Sequence, residues 1–162
     1  SIENKHGGFE NFWKYCYELS KKDARELIAV FHEEFFGLHP EAAQRTRKHI
    51  SDSEKNSSCK RLYLFLKWSI REGSPVDVGI MDFMPASELM IPMDVHVGRQ
   101  ARALGMLGRT YNDWKAVKEL TKKLRLLDPE DPTKYDFALF GIGLSKEDIP
   151  QRYIKNPEYL GT

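Results

Sequence analysis

The sequence of 162 residues lacks the features that would direct it to a membrane or out of the cell. It contains no apolar run near the roughly 20 residues that a helix needs to cross a bilayer. The first eight residues, SIENKHGG, have neither the basic nor the apolar region of a signal peptide. We therefore expect a soluble, cytoplasmic protein with no membrane partner.

Cysteine is scarce, because Cys16 and Cys59 are the only two in the sequence. Without an export signal, two cysteines are expected to be reduced thiols rather than a disulfide. Two thiolates also cannot supply the four ligands of an iron–sulfur cluster. The five histidines are scattered, and residues 31–35, FHEEF, are not the His-Glu-x-x-His zinc motif. We expect no metal and no cofactor.

The sequence also has no large overall excess of positive or negative charge, since the net charge is +1. The charges are nevertheless unevenly distributed. Residues 1–44 carry five Lys or Arg against eight Asp or Glu. Residues 45–71 carry eight Lys or Arg against only two Asp or Glu. A local positive excess is typical of a phosphate-binding surface. Taken alone, however, this charge pattern favours an ordinary solvated helix face.

Apolar residues recur at helix spacing along nearly the whole sequence, as in Phe9, Phe12, Trp13 and Cys16. The apolar run 62–66, LYLFL, could also be a buried strand, but its length and basic flanks favour a helix. No internal repeat, low-complexity segment or interdomain linker interrupts the pattern. The sequence predicts one all-α domain over residues 1–162.

Two predicted helices begin with a residue that can take part in chemistry. Lys60 opens the apolar helix in SSCKRLYLFLKW, with Ser58 as its expected N-cap. After a long irregular connection, Asp94 opens a basic helix, and Pro92 holds the preceding residue extended. An aspartate at a helix start is most often only a cap. Spacing alone therefore favours a structural role for Asp94.

The order of these elements resembles the helix-hairpin-helix DNA glycosylase superfamily. Asp94 lies in MDVHVGRQAR, which is similar to the superfamily's Val/Leu-Asp-x-His/Arg-Val-x-Arg context. The closer resemblance is to the archaeal 8-oxoguanine DNA glycosylase branch. There a lysine precedes an apolar helix and an Ile-Pro-x-Asp segment follows a long insertion, as Lys60 and the residues 91–94 do here. The implied fold is a helix-hairpin-helix glycosylase-like domain.

Residues from about 45 to 143 also resemble an uncharacterised bacterial family, a domain of unknown function with the same distant relationship. Its hallmark runs are CKRL at 59–62 and YDFALFG at 135–141. This places the expected glycosylase-like core at about 45–143. The chain begins at Ser1 rather than methionine, and such proteins usually have additional helices ahead of this region. One interpretation is therefore a fragment that lacks N-terminal helices.

The resemblance implies a catalytic pair in which Lys60 is the nucleophile and Asp94 assists. A lysine attacks the sugar carbon only as the neutral amine, and a helix N-terminus beside Arg61 disfavours the ammonium. Asp94 would stabilise the positive charge that develops on the sugar, or orient the nucleophile. A Schiff base at Lys60 would give strand cleavage as well as base release. Lys67, two turns further along the same helix, competes with Lys60 for this role.

The implied partner is double-stranded DNA with a damaged base, an oxidised purine such as 8-oxoguanine. The residues expected to bind DNA are Arg45, Arg47, Lys48, Lys55, Ser57, Ser58, Arg61 and Arg99. A flipped base must be held by aromatic or apolar groups. The candidates are Tyr63, Trp68, Trp114 and Phe137, for which packing in the core is the alternative. Asp136 is interpreted as structural, with a supporting polar role in the cleft as its alternative.

The sequence departs from the better-characterised glycosylases at the hairpin. Their Gly-x-Gly before the lysine corresponds here to Asn56 and Ser58. This departure favours a second hypothesis, a helical nucleic-acid-binding module without chemistry. A third hypothesis is a protein-interaction domain. Retention of both Lys60 and Asp94 favours the enzyme, and the sequence leaves the oligomeric state open.

Overall fold

All named secondary-structure elements that are described for this chain are helices. The computed structural model describes residues 1–38, 40, 46–145 and 149–160, with the backbone alone of Lys48. In these ranges no strand forms, apart from one isolated bridge between Ser57 and Asp113. The α-helices are α1 (Ile2–His6), α2 (Phe9–Leu19), α3 (Ala24–Gly37), α4 (Lys60–Ile70), α5 (Val95–Ala103), α6 (Trp114–Leu127) and α7 (Asp136–Leu144). The predicted all-α class is confirmed.

The helices α2 and α3 form an aromatic part of the core. Asp23 caps α3, since its carboxylate accepts hydrogen bonds from the backbone N–H groups of Arg25 and Glu26, each at 2.9 Å. The rings of Trp13 and Phe31 stack with their centroids 3.9 Å apart, and both side chains are buried. Large buried aromatic rings contribute much of the hydrophobic stabilisation of such a core.

The start of α4 differs from the prediction by one residue. Ser58 was expected to cap this helix, but the N-cap is Cys59, which has a left-handed backbone with φ 47°. The Ser57 hydroxyl accepts a hydrogen bond from the Cys59 N–H at 3.2 Å, which stabilises this sharp turn into the helix. From there α4 buries Tyr63, Leu66 and Ile70. The strand alternative for residues 62–66 is therefore excluded.

The irregular connection after α4 packs back along the end of that helix. We call its residues 76–81 the wall segment. The N–H groups of Val78 and Gly79 donate to the Trp68 carbonyl at 2.8 and 3.0 Å, and Met81 N–H donates to the Ser69 carbonyl at 2.8 Å. Gly79 has φ +58°, and a Cβ there would lie 2.7 Å from the carbonyl oxygen of Arg71. Only glycine fits this close approach.

The helices α5, α6 and α7 complete the domain. Asp94 is the N-cap of α5, as predicted. The sequence indicates Asn112 as the cap of α6, since asparagine is a common N-cap ahead of an apolar stripe. The cap is Asp113 instead, whose carboxylate accepts from Ala116 N–H at 3.1 Å. Asn112 instead donates to the backbone carbonyl of Asp94 at 3.1 Å. The chain segment before α6 therefore holds the start of α5 in place.

Candidate active site

A cavity of about 330 Å³ opens beside the start of α4. Its walls come from α4, the wall segment, the loop that leads into α5, and α7. Four ionisable side chains line it: Lys60, Lys67, Asp94 and Asp136. We call this space the cavity. Both predicted catalytic residues therefore face one shared cleft.

Lys60 and Asp94 form an ion pair at the cavity. The Lys60 Nζ lies 3.3 Å from Asp94 Oδ2. The Lys60 side chain is 44% exposed, whereas that of Asp94 is 10% exposed. The other carboxylate oxygen, Oδ1, accepts a hydrogen bond from the Val97 N–H at 2.7 Å. Asp94 therefore caps α5 with one oxygen and presents the other to the lysine, while its catalytic role stays a prediction.

The position of Asp94 depends on a buried stretch of loop. Ile91 and Met93, on either side of Pro92, are buried in the core. The N–H of Ile91 donates to the hydroxyl of Thr121 on α6 at 3.1 Å, and this hydroxyl is fully buried. Because the loop is fixed by packing and by this hydrogen bond, the carboxylate reaches Lys60 without a mobile connection.

Lys67 lies deeper than Lys60. Its side chain is only 2% exposed, and its Nζ lies 2.9 Å from Asp77 Oδ1 and 3.5 Å from Asp136 Oδ2. The two carboxyl groups engage the Lys67 amine, and this disfavours its use as a nucleophile. Of the two lysines, Lys60 is the one with an exposed amine.

Asp136 is the second carboxyl group in the cavity. Its pKa is raised to about 6, chiefly by burial and also by the charges of Asp94 and Asp77, against the lowering effect of Lys67. Burial also tends to raise the pKa of Asp77. Hydrogen bonds from Lys67 and Ser74 and the charges of Lys67 and Arg71 outweigh burial and hold the Asp77 pKa below its usual value. The two carboxyl groups that share Lys67 therefore differ in proton affinity.

The predicted base-pocket residues separate into two pairs. Trp68 and Phe137 line the cavity and are 47% and 59% exposed. Tyr63 and Trp114 lie elsewhere. The Tyr63 hydroxyl donates to the Ala24 carbonyl at 3.0 Å, and its ring stacks on Trp114 with centroids 6.0 Å apart. This pair packs in or against the core, whereas the first pair could contact a molecule in the cavity.

Some residues expected to bind DNA lie around the start of α4. Arg61 is exposed and directly follows Lys60. The Lys55 side chain is 82% exposed, and its Nζ lies 4.0 Å from Asp52 Oδ2. Ser57 and Ser58 are half-buried in the turn. These residues lie close to Lys60 along the chain, and the hydroxyl of Ser57 is already used within the turn.

The remaining residues of that set lie further along the chain. Arg47 is exposed, with its guanidinium 4.7 Å from the centre of the Phe36 ring. Arg99 is half-buried on α5. Arg45 and the side chain of Lys48 lie outside the described residues, so their predicted contacts with DNA stay predictions.

The hairpin before α4 keeps a left-handed backbone without glycine. Asn56 has φ 57°, a conformation that asparagine tolerates better than most residues. Its carbonyl accepts from Trp114 N–H at 3.2 Å, and its amide donates to Asp113 Oδ2 at 3.0 Å. Asp113 also pairs with Arg109, whose hydrogen bond holds the pKa of Asp113 far below its usual value. The hairpin is therefore anchored to the start of α6.

Several of these residues carried no signal in the sequence. Asp77 lies in an irregular segment, and Arg109 and Asp113 lie in the connection between α5 and α6, where no periodicity marks them.

The described residues hold no group of three or more His, Cys, Asp or Glu that could bind a metal ion. Among the helices of these same ranges, none is long and apolar enough to cross a membrane.

Comparisons with curated proteins and with solved structures found no match. The model of one family, described as "Protein of unknown function (DUF2400)", matches residues 1–145. This range includes α1–α3 as well as the expected core at about 45–143, and it contains every ionisable residue of the cavity. The resemblance to a family of unknown function is thereby confirmed, while the link to DNA glycosylases stays a prediction. The chain belongs to the DUF2400 family.

Proposed function

We propose that this chain is a DNA glycosylase with lyase activity that removes an oxidised purine, such as 8-oxoguanine, from duplex DNA. Lys60 is the nucleophile in this proposal, and Asp94 assists it. The observation that carries it is the 3.3 Å approach of Lys60 Nζ to Asp94 Oδ2 at the cavity. A lone helix cap would not require an amine at that place.

The proposed reaction begins with proton transfer from the Lys60 ammonium to Asp94 Oδ2. The neutral amine attacks C1′ of the sugar of a flipped nucleotide. The bond from C1′ to the base breaks, its electron pair leaves with the base, and the base takes up a proton. Asp94 supplies that proton to the departing base, and the carboxylate so restored stabilises the positive charge that develops on the sugar.

Strand cleavage follows from the nitrogen that is now bound to C1′. As the sugar ring opens, the bond between C1′ and O4′ breaks, and a proton moves from the nitrogen to O4′. The resulting Schiff base acidifies C2′, and loss of a proton there expels the 3′ phosphate. No redox partner or metal ion is needed for these steps.

The cavity has the size and lining that a base requires. Its volume of about 330 Å³ lies at the lower end of the range of about 300–1,000 Å³ that is usual for small-molecule pockets. Leu64, Phe137 and Phe140 supply apolar surface against which a planar base can pack. Lys67 and Asp136 supply polar groups at its inner end that can hydrogen-bond to the edge of a base.

Borohydride trapping tests this proposal directly. The protein is incubated with duplexes that carry 8-oxoguanine, uracil or an abasic site, and borohydride reduces any Schiff base to a stable amine. We expect a covalent adduct whose peptide map places the sugar on Lys60 and not on Lys67. Lys60→Gln should abolish the adduct, and Asp94→Asn should reduce base release by at least a hundredfold, in line with about 10²–10³ for removal of one stabilising group.

A matched control is Lys122→Gln, because Lys122 is exposed on α6 and does not line the cavity. This variant should form the adduct at the wild-type rate. An adduct that maps to Lys67, or one that survives Lys60→Gln, would contradict the assignment of the nucleophile.

The second candidate function is a helical nucleic-acid-binding module without chemistry. The observation that favours it is the hairpin, where Asn56 and Ser58 stand in place of glycines and side chains limit the approach of a phosphate to the backbone. Tight binding to duplex DNA without adduct or base release would support this candidate against the enzyme. Absence of DNA binding would instead favour a protein-interaction domain.

A further inference from the structure

Lys67 is shared unequally between two carboxyl groups. Its Nζ lies 2.9 Å from Asp77 Oδ1 but 3.5 Å from Asp136 Oδ2. Asp136 lines the cavity, whereas Asp77 does not and has a side chain that is 0% exposed. The nearer partner of Lys67 therefore lies behind it, out of reach of anything that enters the cavity.

Asp77 is itself held from two sides. Arg71 donates from Nη1 to Asp77 Oδ2, and it donates from Nε and Nη2 to both oxygens of Asp131 at 2.8 Å. The backbone on either side of Asp77 is fixed as well, because Val78 N–H and Gly79 N–H donate to the Trp68 carbonyl. A carboxylate with so many fixed contacts cannot follow Lys67 if the lysine moves toward Asp136.

The charges of this group do not balance when every member is ionised. Lys67 and Arg71 carry two positive charges, and the three carboxyl groups of Asp77, Asp131 and Asp136 would carry three negative charges. Unbalanced charge in a largely buried group is costly, so the least well paired carboxyl group holds its proton to the highest pH. Asp136, with the longest contact to Lys67, is that member, and its pKa of about 6 agrees with this.

We propose that Asp77 is a positioning residue that holds the Lys67 ammonium away from Asp136, so that Asp136 binds a proton more tightly than an ordinary aspartate and, in mildly acidic solution, the cavity presents a neutral carboxyl beside a fixed cation. The relevance of this arrangement to base release rests on the function proposed above, but the arrangement itself does not. The ionisable groups that face Asp136 are Lys67 from α4, Asp77 from the wall segment and Asp94 from the start of α5.

The direct test is the titration of the Asp136 carboxyl group in the free protein, followed by carbon-13 NMR. In Asp77→Asn, Lys67 loses its charged partner and should move to Asp136. We expect the apparent pKa of Asp136 to fall by one unit or more, which is a tenfold loss of proton affinity. An unchanged or raised pKa in this variant would overturn the proposal.

A double-mutant cycle separates positioning from a general loosening of the structure. In a Lys67→Met background no ammonium remains to be moved, so Asp77→Asn should change the Asp136 titration by less than a third of the single-variant shift. An equal shift in both backgrounds would show that Asp77 does not act through Lys67. Arg71→Gln should shift the pKa of Asp136 in the opposite direction. Of its two cationic partners Asp77 then keeps only Lys67, so Lys67 is held more firmly away from Asp136, and the pKa of Asp136 should rise.

The last experiment measures the proposed reaction, base release. If the glycosylase proposal holds, the pH dependence of base release in Asp77→Asn should shift to lower pH by the amount measured for Asp136. A titration shift without a matching shift in the pH profile would overturn the link to catalysis. If the wild-type protein releases no base, the proposed function fails, while the titration of the free protein still decides the role of Asp77.

Discussion

Asp94 meets Lys60 through only one of its two carboxylate oxygens. Oδ2 lies 3.3 Å from the lysine Nζ, whereas Oδ1 accepts from the Val97 N–H at 2.7 Å. One oxygen thus contributes to the stability of α5, and the other is available to the lysine. The two contributions can be separated by substitution, because an amide retains an oxygen for the cap but loses the charge.

We expect Asp94→Asn to unfold at nearly the wild-type urea concentration, and Asp94→Ala to be less stable by about 0.5–2 kcal/mol, the usual cost of a lost N-cap. Both variants should lose base release, since neither carries a carboxylate beside Lys60. Urea unfolding and single-turnover assays on the same preparations measure the two effects. An active Asp94→Asn variant would show that the charge of Asp94 has no part in the reaction.

Arg61 offers a test of phosphate binding. It is exposed and directly follows Lys60, so it should neutralise a phosphate of bound DNA. Each phosphate contact contributes about 0.9 to the slope of log K against log salt for duplex DNA. We expect Arg61→Ala to lower that slope by about 1 and to weaken binding to all duplex sequences alike. Lys122→Ala, a change of equal charge on α6, should leave the slope unchanged.

The Lys60 and Asp94 pair could be predicted because each residue opens a helix. Helix starts are marked in the sequence by the onset of apolar periodicity and by Pro92, and a resemblance in two short motifs placed both residues in one cleft. The helices themselves were predictable for the same reason. The caps Ser58 and Asn112 were each off by one residue, since a cap depends on how the preceding turn is anchored.

Asp77 and Asp131 could not be predicted as partners of Lys67 and Arg71. They lie in irregular segments, and the contact from Arg71 to Asp131 spans 60 positions in the sequence. No local pattern specifies a contact across such a distance, because it depends on how the whole chain packs. For Asp136 the sequence favoured a structural role, with a supporting polar role in the cleft as the alternative, and the fold brings this residue to the cavity.

The two glycines of the connection after α4 give a matched pair of variants. Gly73 and Gly79 have similar φ angles, +67° and +58°, but a Cβ at Gly73 meets nothing within 4 Å whereas one at Gly79 lies 2.7 Å from the Arg71 carbonyl oxygen. Gly73→Ala should cost about 1–2 kcal/mol for its left-handed backbone alone. Gly79→Ala should cost about 1–3 kcal/mol more for the clash, as measured by urea unfolding. Equal losses of stability in the two variants would mean that the wall segment can shift to relieve the clash without loss of stability.

Asp113 connects the hairpin to α6. Its carboxylate caps α6, pairs with Arg109 and accepts from the amide of Asn56. Asp113→Ala should therefore destabilise the protein by about 1–3 kcal/mol at pH 7 and speed hydrogen exchange at Trp114 N–H, which donates to Asn56.

The pH dependence of this effect has a definite sign. The pKa of Asp113 is lower in the folded state than its usual value of 3.8, so the carboxylate stabilises the fold above that pH and the gain is lost as the pH falls. The difference in the free energy of unfolding between wild type and Asp113→Ala should become smaller below about pH 4. A difference that stays constant down to pH 2.5 would show that the charge of Asp113 contributes nothing.

Asp136 should give the opposite pH dependence. Its folded-state pKa of about 6 exceeds the usual value of 3.8, so between these values the folded state binds more protons than the unfolded state and loses stability as the pH rises. Asp136→Asn cannot ionise, so it should gain stability relative to wild type between pH 4 and pH 7. The gain should reach up to about 3 kcal/mol, at about 1.4 kcal/mol for each pKa unit.

The control is Asp128→Asn. The Asp128 carboxylate accepts from Lys134, and this hydrogen bond lowers its pKa. Relative to wild type, the control variant should therefore lose stability as the pH rises through the acidic range. Urea unfolding of wild type and the two variants at a series of pH values measures both pH-dependent changes in stability. If Asp136→Asn followed the control, Asp136 would be ionised throughout the acidic range, and all four ionisable side chains that line the cavity would be charged there.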